Sequence, residues 1–276
     1  MEPFLKVGSL TIHYRSKVAA TVTAVRDVSF DIAPGEILGL MGESGCGKSS
    51  VAQALLGLLP KDRAEVRGSV CFCGCELLTL GERELQRIRG AAISMVHQEP
   101  ETALSPVMRV GDQVAEVVRA HLCVPWKQCL ERAQAMLERV GLSEVSRIYE
   151  AYPHQLSGGQ RQRVVLAQAL ACAPSLVIAD EPTAHLDARS QAGFLGLLET
   201  VKRESRTAVL LISHTPEVTA RLADRLLVMQ AGCIVEQGRF ADLYRHSARP
   251  YTRAILGSPI PACERAELAF EERATR

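Results

Sequence analysis

The sequence lacks an excess of charge of either sign. Among its 276 residues, 32 lysines and arginines stand against 31 aspartates and glutamates, and the net charge is +1. Such a balance provides no general attraction to nucleic acid or to anionic lipid. We therefore expect no nucleic-acid partner.

Long apolar runs are also missing. None of them approaches the roughly 20 residues that a helix needs to cross a bilayer. Residues 1–6 show no basic stretch followed by an apolar one, so we expect no secretory signal. The two absences predict a protein of the cytosol, or one that a partner holds at a membrane.

The nine cysteines complete neither a disulfide scaffold nor a metal site. Disulfide scaffolds are typical of short secreted chains, whereas this chain is long enough to bury a core without them. Cys71, Cys73 and Cys75 alternate and could share one strand face, which makes a metal site one interpretation. No histidine pair or second cysteine cluster completes the ligand set, and ordinary structural thiols are favoured.

What the sequence does contain is a phosphate-binding loop. The apolar run Ile37–Met41 predicts a buried strand, and a helical pattern that reaches about Leu59 begins shortly after it. Between them lies a match to the pattern G-x-x-x-x-G-K-[ST]. The loop residues are Gly42, Glu43, Ser44, Gly45, Cys46, Gly47, Lys48 and Ser49, and Ser50 follows them. A chance match in a glycine-rich turn is the alternative, and the strand–loop–helix context argues against it.

The chemistry of this loop suits a nucleotide. Its glycines allow successive backbone N–H groups to face one point, and the start of the next helix favours an anion there. Lys48 would add a positive charge at the β- and γ-phosphates, and the Ser49 hydroxyl would offer a hard oxygen ligand to Mg²⁺.

Polar residues also follow three other apolar runs. Residues 91–96 lead to Gln98, residues 176–179 lead to Asp180-Glu181, and residues 209–212 lead to His214. Adjacent carboxylates at the end of a strand suit Mg²⁺, which Asp180 would reach through water, and activation of a water nucleophile by Glu181. Taken alone, a glutamine or a histidine in such a place is more often an ordinary solvated loop residue than a functional one, and this alternative applies to Gln98 and His214.

A second helix start has the same preference for phosphate. Ser157 is a good N-cap residue, and Gly158 and Gly159 allow a close backbone approach just before Gln160. The preceding stretch, 101–156, has apolar residues at helical spacing and predicts a helical insertion that Gly141 interrupts. In that stretch the predicted helical positions begin at Val107.

The N-terminal part predicts two strands within residues 4–32, since its apolar residues alternate. Tyr14 lies at the end of the first strand. An aromatic ring there can stack on an adenine, although a strand-edge core position is the commoner role.

The order of these motifs carries a family resemblance. With the loop at 42–49, Leu156-Ser157-Gly158-Gly159-Gln160, Asp180-Glu181 and His214 in this order, the chain resembles the ATP-binding cassette of ABC transporters. The resemblance covers residues 4 to about 245. It implies an α/β fold, in which a RecA-like phosphate-loop NTPase core carries an N-terminal antiparallel β subdomain and an inserted α-helical subdomain. The implied boundaries are 1–98 and 160–245 for the core, 99–159 for the helical subdomain and 246–276 for a C-terminal tail.

The resemblance also implies roles for single residues. Tyr14 becomes the residue that stacks on adenine, Gln98 the Q-loop glutamine, Glu181 the general base, Asp187 the D-loop aspartate and His214 the switch histidine at the γ-phosphate. The phosphate loop with Lys48, and Ser157 to Gln160, would bind ATP, while Ser49, Gln98 and Asp180 would hold Mg²⁺. One departure is His185, which stands where the family usually has a small residue.

A finer resemblance is to the peptide/nickel importer subfamily. It rests on the segments 98–106, 152–155, 178–183 and 249–256. Members carry dipeptides, oligopeptides, nickel or metal chelates, and some bind an iron–sulphur cluster at a cysteine-rich C-terminus. This tail offers only Cys263, so we expect no such cluster.

The resemblance implies a set of partners. Each ATP would lie between the loop of one chain and Ser157–Gln160 of a second ABC ATPase subunit, which in this subfamily is usually a homologous but different chain. Two transmembrane permease subunits and an extracytoplasmic substrate-binding protein would complete an importer, with this chain peripheral on the cytoplasmic face of the inner membrane. The alternatives are the ATPase of an exporter, a soluble non-transport ABC ATPase and a module that hardly hydrolyses ATP. Glu181 and His214 are both present, which argues against the last.

Overall fold

A computed structural model describes residues 4–15, 21–184 and 186–257. The strands, in chain order, are β1 Leu5–Tyr14, β2 Val22–Ile32, β3 Ile37–Met41, β4 Ala64–Phe72, β5 Cys75–Glu76, β6 Ile93–Val96, β7 Leu176–Asp180, β8 Ala208–Ile212, β9 Arg225–Gln230 and β10 Cys233–Gly238. The α-helices are α1 Lys48–Leu55, α2 Glu82–Ile88, α3 Pro100–Ala103, α4 Val110–His121, α5 Trp126–Arg139, α6 Val145–Glu150, α7 Gly158–Leu170, α8 Ala188–Glu204, α9 Pro216–Leu222, α10 Phe240–His246 and α11 Pro250–Leu256.

The strands form two sheets. One is antiparallel, with the order β2-β1-β4-β5. The other has the order β10-β9-β3-β8-β7-β6, in which β9, β3, β8, β7 and β6 are parallel and β10 pairs with β9 in the antiparallel sense. These are the predicted N-terminal antiparallel sheet and the predicted α/β core.

Burial explains the difference between the two sheets. Every residue of β3 is buried, as is every residue of β8, because parallel strands are covered on both faces. In β1 the buried residues, Leu5, Val7, Leu10 and Ile12, are interspersed with partly or fully exposed ones, because one face of that sheet is covered less completely. The sequence patterns follow these two environments.

Helices α3–α6 form the predicted insertion; α3, α4 and α5 pack against α7, and α6 packs on α4 and α5. In α5, Cys129, Ala133 and Leu137 are fully buried at a spacing of four residues, which places them on one face. Gly141, with φ +70°, lies just beyond the end of this helix, as predicted.

Two predicted helix limits are wrong. Val107 does not belong to a helix and is 81% exposed. The Gln113 side chain accepts a hydrogen bond from the Ser105 amide at 2.8 Å and donates to the carbonyls of Ser105 and Met108, so it holds this segment in a turn before α4. The second wrong limit is the end of α1, which lies at Leu55 rather than near residue 59, because Gly57 adopts a φ of +61°.

Helices α10 and α11 pack on β3 and β9 through a small apolar cluster. Its buried members are Met41, Leu226, Val228, Leu243 and Leu256, with Tyr251 partly buried beside them. The residues that follow β3 therefore lie close to the C-terminal helices. None of the helices in the described ranges has the length and hydrophobicity that a membrane span requires.

Two sequence expectations fall outside the described ranges. They are the departure at His185 and the absence of a cluster at Cys263.

Candidate functional site

The carboxyl ends of three neighbouring parallel strands bring the predicted residues to one edge of the sheet. Strand β3 leads into the loop at 42–49, β7 leads to Asp180 and Glu181, and β8 leads to His214. Because β8 pairs with both β3 and β7, its end lies between the other two. Ligands of open α/β sheets bind at this kind of edge.

The loop has no room for side chains at two of its glycines. A Cβ atom at Gly42 would lie 2.2 Å from the Met229 carbonyl oxygen. A Cβ atom at Gly47 would lie 2.4 Å from the Ala24 carbonyl oxygen, and this residue has a φ of +111° that favours glycine. The glycines of the motif are therefore required by the packing of the loop against β2 and β9.

Lys48 is buried and turned back onto the loop. Its exposed fraction is 5%, and its ammonium donates hydrogen bonds to the carbonyl oxygens of Gly42 at 2.7 Å and Glu43 at 2.8 Å. The Cys46 Sγ lies 3.8 Å from the same ammonium, and burial raises the pKa of this thiol. A positive charge is thus held inside the loop, next to the start of α1.

The Ser49 hydroxyl lies beside the Asp180 carboxyl. The pKa of the Asp180 carboxyl is raised, first by burial; the neighbouring Ser49 hydroxyl lowers it, and the charge of Glu181 raises it. A hydroxyl and a carboxylate are hard oxygen donors of the kind that Mg²⁺ prefers, and Mg²⁺ at phosphate sites usually keeps water and phosphate oxygens as its other ligands. The pair fits such an ion. In the described ranges, no group of three or more His, Cys, Asp or Glu side chains is arranged to hold a metal by itself.

Glu181 and His214 are in direct contact. The His214 Nδ1 atom lies 3.0 Å from a Glu181 carboxylate oxygen, and the side chains are 58% and 18% exposed, respectively. Glu181 has a φ of +48°, a backbone conformation that is uncommon for residues other than glycine and is found at functional sites. A carboxylate held by an imidazole at this edge can accept a proton from a water molecule.

Tyr14 lies over the start of α1. Its hydroxyl is 3.1 Å from the Ser50 hydroxyl, and both residues are half-buried. The end of β1 therefore borders the phosphate loop, where the base of a bound nucleotide could be reached.

Gln98 occupies a different place. It lines a cavity of about 370 Å³ together with Gly158, Arg161, Gln162, Pro182 and Leu186. Within the described residues, no hydrogen bond joins Gln98 to Ser49 or Asp180. An ion pair of 3.0 Å between Arg161 and Glu101 links α3, which follows Gln98, to α7. Gln98 thus lies between the insertion and the core.

The start of α7 has the predicted cap. The Ser157 hydroxyl accepts a hydrogen bond from the Gln160 amide at 3.3 Å, and the Gln160 side chain accepts one from the Ser157 amide at 2.9 Å. Ser157 is exposed, and the hydrogen bonds of both residues in the described structure stay within this helix start. A Cβ atom at Gly159 would lie 2.8 Å from the Ser190 hydroxyl of α8.

Asp187 caps α8. One of its carboxylate oxygens accepts from the amides of Arg189 and Ser190, both at 3.0 Å, and the other accepts from the Ser190 hydroxyl at 2.7 Å. These bonds, the Ser190 amide first, lower the pKa of Asp187. The starts of α7 and α8 therefore lie side by side.

Sequence reasoning missed the residues that anchor the phosphate loop from behind. The Gly232 amide donates to the Cys46 carbonyl at 3.0 Å, and the Glu43 amide donates to the Tyr251 hydroxyl at 3.2 Å. Both anchors lie more than 180 residues away in the chain. Tyr251 belongs to a segment that carried the subfamily resemblance, but no local pattern indicated its contact.

The cysteines at 71, 73 and 75 are free thiols. Burial raises the pKa of Cys73, and the neighbouring Cys71 raises it further.

Comparisons with known proteins agree with this geometry. The family model described as ABC transporter matches residues 25–184. The chain is 43% identical over 259 residues to the dipeptide transport ATP-binding protein DppD of Bacillus subtilis, covering 94% of this chain and 77% of that protein. It is 46% identical over 268 residues to the oligopeptide transport ATP-binding protein OppD of Mycobacterium tuberculosis, covering 97% of this chain.

The fraction of each relative's length that the chain matches is not the same. The chain spans 43% of the length of the mycobacterial protein. Among solved structures, the ATP-binding cassette MJ0796, described as dimeric in a post-hydrolysis state with ADP and Pi, superposes with a TM-score of 0.75. That match has 27% identity and covers 86% of this chain and 98% of the other. The predicted fold class is thereby confirmed.

Proposed function

The chain belongs to the ABC transporter family, and from this membership we propose that it is the ATP-hydrolysing subunit of an importer for peptides. Nickel or a related metal chelate is the alternative cargo within the same subfamily. The observation that carries the ATPase assignment is the contact of Glu181 with His214, at the sheet edge where Ser49 meets Asp180.

In the proposed reaction, Glu181 accepts a proton from the water that attacks the γ-phosphate of ATP. His214 holds the carboxylate of Glu181 and contacts the γ-phosphate. Lys48 turns from the carbonyls of Gly42 and Glu43 to the β- and γ-phosphates, and the backbone amides of the loop hold the same groups. The positions of these residues at one edge of the sheet support the proposed roles.

Mg²⁺ would be held by Ser49 directly and by Asp180 through water, with Gln98 as a further ligand. When bound, it supplies positive charge to the phosphate oxygens. The proximity of the Ser49 hydroxyl to the Asp180 carboxyl supports the first two assignments. For Gln98 the assignment requires its loop to approach the nucleotide.

The helix start of α7 suggests that two cassettes share each ATP. Ser157 is exposed, with the amides of Gly158 and Gly159 beside it, and such a helix start favours an anion. We place it on the γ-phosphate of ATP bound by a second ABC ATPase subunit, with Asp187 near the same interface and Tyr14 on the adenine. Hydrolysis would remove these contacts and open the pair.

The insertion would transmit this motion. We propose 1–98 and 160–245 as the nucleotide-binding unit, 99–159 as the unit that moves, and 246–276 as the tail. The partners would be a homologous but different ATPase chain, two transmembrane permease subunits and an extracytoplasmic substrate-binding protein. The chain would then lie on the cytoplasmic face of the inner membrane.

The relatives favour import of peptides over the rival functions. Both the Bacillus subtilis and the mycobacterial protein are described as peptide transport ATP-binding proteins. Neither an exporter nor a soluble non-transport ATPase is among these relatives. Since the chain covers less than half of the mycobacterial protein, its partners and cargo are proposals.

The test uses the complex that assembles around this chain. A tagged chain is purified from membranes, and ATP hydrolysis is measured with the binding protein alone, with the binding protein plus di- and tripeptides, and with the binding protein plus Ni²⁺. We expect peptides to stimulate hydrolysis. Absence of permease subunits, or hydrolysis that neither peptide nor Ni²⁺ changes, would contradict the proposal.

A matched pair of variants gives the control. Glu181→Gln should bind ATP and lose turnover, whereas Glu217→Gln makes the same chemical change at an exposed position in α9 and should keep it. Rapid hydrolysis by the first variant would remove Glu181 from its role.

A further inference from the structure

We propose that Tyr251 is a positioning residue for the phosphate loop, through which the C-terminal helices set the affinity for ATP. The inference rests on the proposed function in so far as ATP is the ligand of that loop. Its structural basis is one hydroxyl that joins two parts of the chain.

The Tyr251 hydroxyl makes two hydrogen bonds. It donates to the Met229 carbonyl oxygen of β9 at 3.1 Å, and it accepts from the backbone amide of Glu43 at 3.2 Å. One donor and one acceptor site of the hydroxyl are thereby used. The same Met229 carbonyl lies against Gly42. Glu43 is therefore linked to β9 through Tyr251, next to the point where Gly42 packs on β9 directly.

The hydrogen bond from Glu43 to Tyr251 differs from the hydrogen bonds that Lys48 makes to the same part of the loop. Lys48 donates to the carbonyls of Gly42 and Glu43, but its ammonium would be drawn to the phosphates when ATP binds. The Tyr251 hydroxyl uses the opposite group of Glu43, its amide. It can therefore keep the beginning of the loop in place while Lys48 changes partners.

The helix that carries Tyr251, α11, is held in place by contacts on two sides. Glu236 of β10 accepts hydrogen bonds from the Ser247 hydroxyl at 2.6 Å and the Ala248 amide at 3.3 Å, immediately before α11. Arg253 donates to the Ser247 carbonyl at 2.8 Å. The apolar cluster that contains Met41 and Leu256 fixes the other side of the helix. Tyr251 thus projects from a helix that is anchored to the sheet on both sides.

The consequence for ATP is one of preorganisation. A phosphate loop binds best when its amides already face the ligand, because ordering them on binding reduces affinity. Without the hydroxyl, the Glu43 amide loses its partner and the loop is held by fewer bonds. A neutral hydrogen bond corresponds to about a 2- to 12-fold change in an equilibrium constant. We expect removal of the hydroxyl to weaken ATP binding by about 3- to 10-fold.

The test replaces Tyr251 by Phe, which keeps the ring in the apolar cluster and removes only the hydroxyl. Tyr149→Phe is the matched control, because the Tyr149 hydroxyl is buried without a hydrogen-bond partner among the described residues. The Kd for ATP is measured on the full chain, together with the amide hydrogen exchange of Glu43. In the assembled ATPase, KM for ATP should rise by the same factor while kcat stays within twofold, since Tyr251 touches no reacting atom.

The outcomes separate the inference from the proposed function. A rise in Kd of threefold or more in Tyr251→Phe, with faster exchange at Glu43 and an unchanged Tyr149→Phe, supports the inference. A smaller rise, or exchange at Glu43 equal to that of the wild type, overturns the inference and leaves the proposed function standing. If the wild-type chain binds no ATP, the proposed function fails and the inference fails with it.

Discussion

The tight packing of Gly42 gives the sharpest prediction about the phosphate loop. Replacement by Ala would place a Cβ atom 2.2 Å from the Met229 carbonyl oxygen and 2.6 Å from the Cys46 Sγ. Contacts below 3.0 Å essentially never occur for real Cβ atoms. The thiol can rotate away, but the carbonyl belongs to β9, which is paired on both sides. Either the loop or the strand must therefore move.

The expected cost of Gly42→Ala follows from two contributions. Forcing an additional carbon into a packed site costs about 1–3 kcal/mol. Displacing the Met229 carbonyl also disturbs its hydrogen bond from Tyr251, which contributes about 0.5–1.5 kcal/mol. Together they lower the free energy of unfolding by about 1.5–4.5 kcal/mol. For a chain of 276 residues that corresponds to a fall in Tm of roughly 3–8 °C.

Thermal and urea unfolding of Gly42→Ala and of two control variants, Gly45→Ala and Gly196→Ala, measures this loss of stability. Gly45→Ala meets no atom within 4 Å but has a φ of +79°, so only backbone strain of about 1–2 kcal/mol is expected. Gly196→Ala lies within α8, where the nearest atom to the added Cβ is a guanidinium nitrogen of Arg221 at 4.0 Å, and it should be neutral or stabilising by up to about 1 kcal/mol. If Gly42→Ala is as stable as the wild type and binds ATP equally well, the packing argument for the loop is refuted.

Two further predictions concern charge and pH. Lys48→Met should change the unfolding free energy little. It should weaken ATP binding by about 2–5 kcal/mol, because a buried charged partner of the phosphates is lost. Isothermal titration with ATP measures this, and Lys61→Met, at an exposed position, is the control. The pKa of Tyr149 is raised from 10.0 to about 12, first by burial and then by the charges of Asp112 and Glu150. Its neutral form is favoured in the fold, so the associated stability is present below pH 10 and is lost as the pH rises towards 12. Urea unfolding between pH 8 and 12 should show this loss in the wild type and not in Tyr149→Phe.

The parts of the fold that sequence could predict depend on local patterns. Ile37–Met41 and Ala208–Ile212 are apolar throughout because parallel strands are buried on both faces, and such runs are visible without a structure. The cap at Ser157 and the glycines of the loop have equally local causes. These features were predicted in the right places.

The parts that sequence could not predict depend on distant contacts. Tyr251 reaches Glu43 across 208 positions, and nothing around either residue indicates the other. Val107 continued a helical spacing, but the Gln113 side chain holds the preceding segment in a turn. The cavity beside Gln98 likewise arises where the insertion meets the core. In each of these cases the deciding contact is made by a residue that the local sequence pattern does not indicate.

The most direct test of the shared nucleotide site is a structure of the assembled Glu181→Gln complex with ATP and Mg²⁺. We expect Ser157 of one cassette to lie within hydrogen-bond distance of the γ-phosphate of the ATP that Lys48 of the other cassette holds. A nucleotide enclosed by a single chain, with Ser157 facing solvent, would contradict the account.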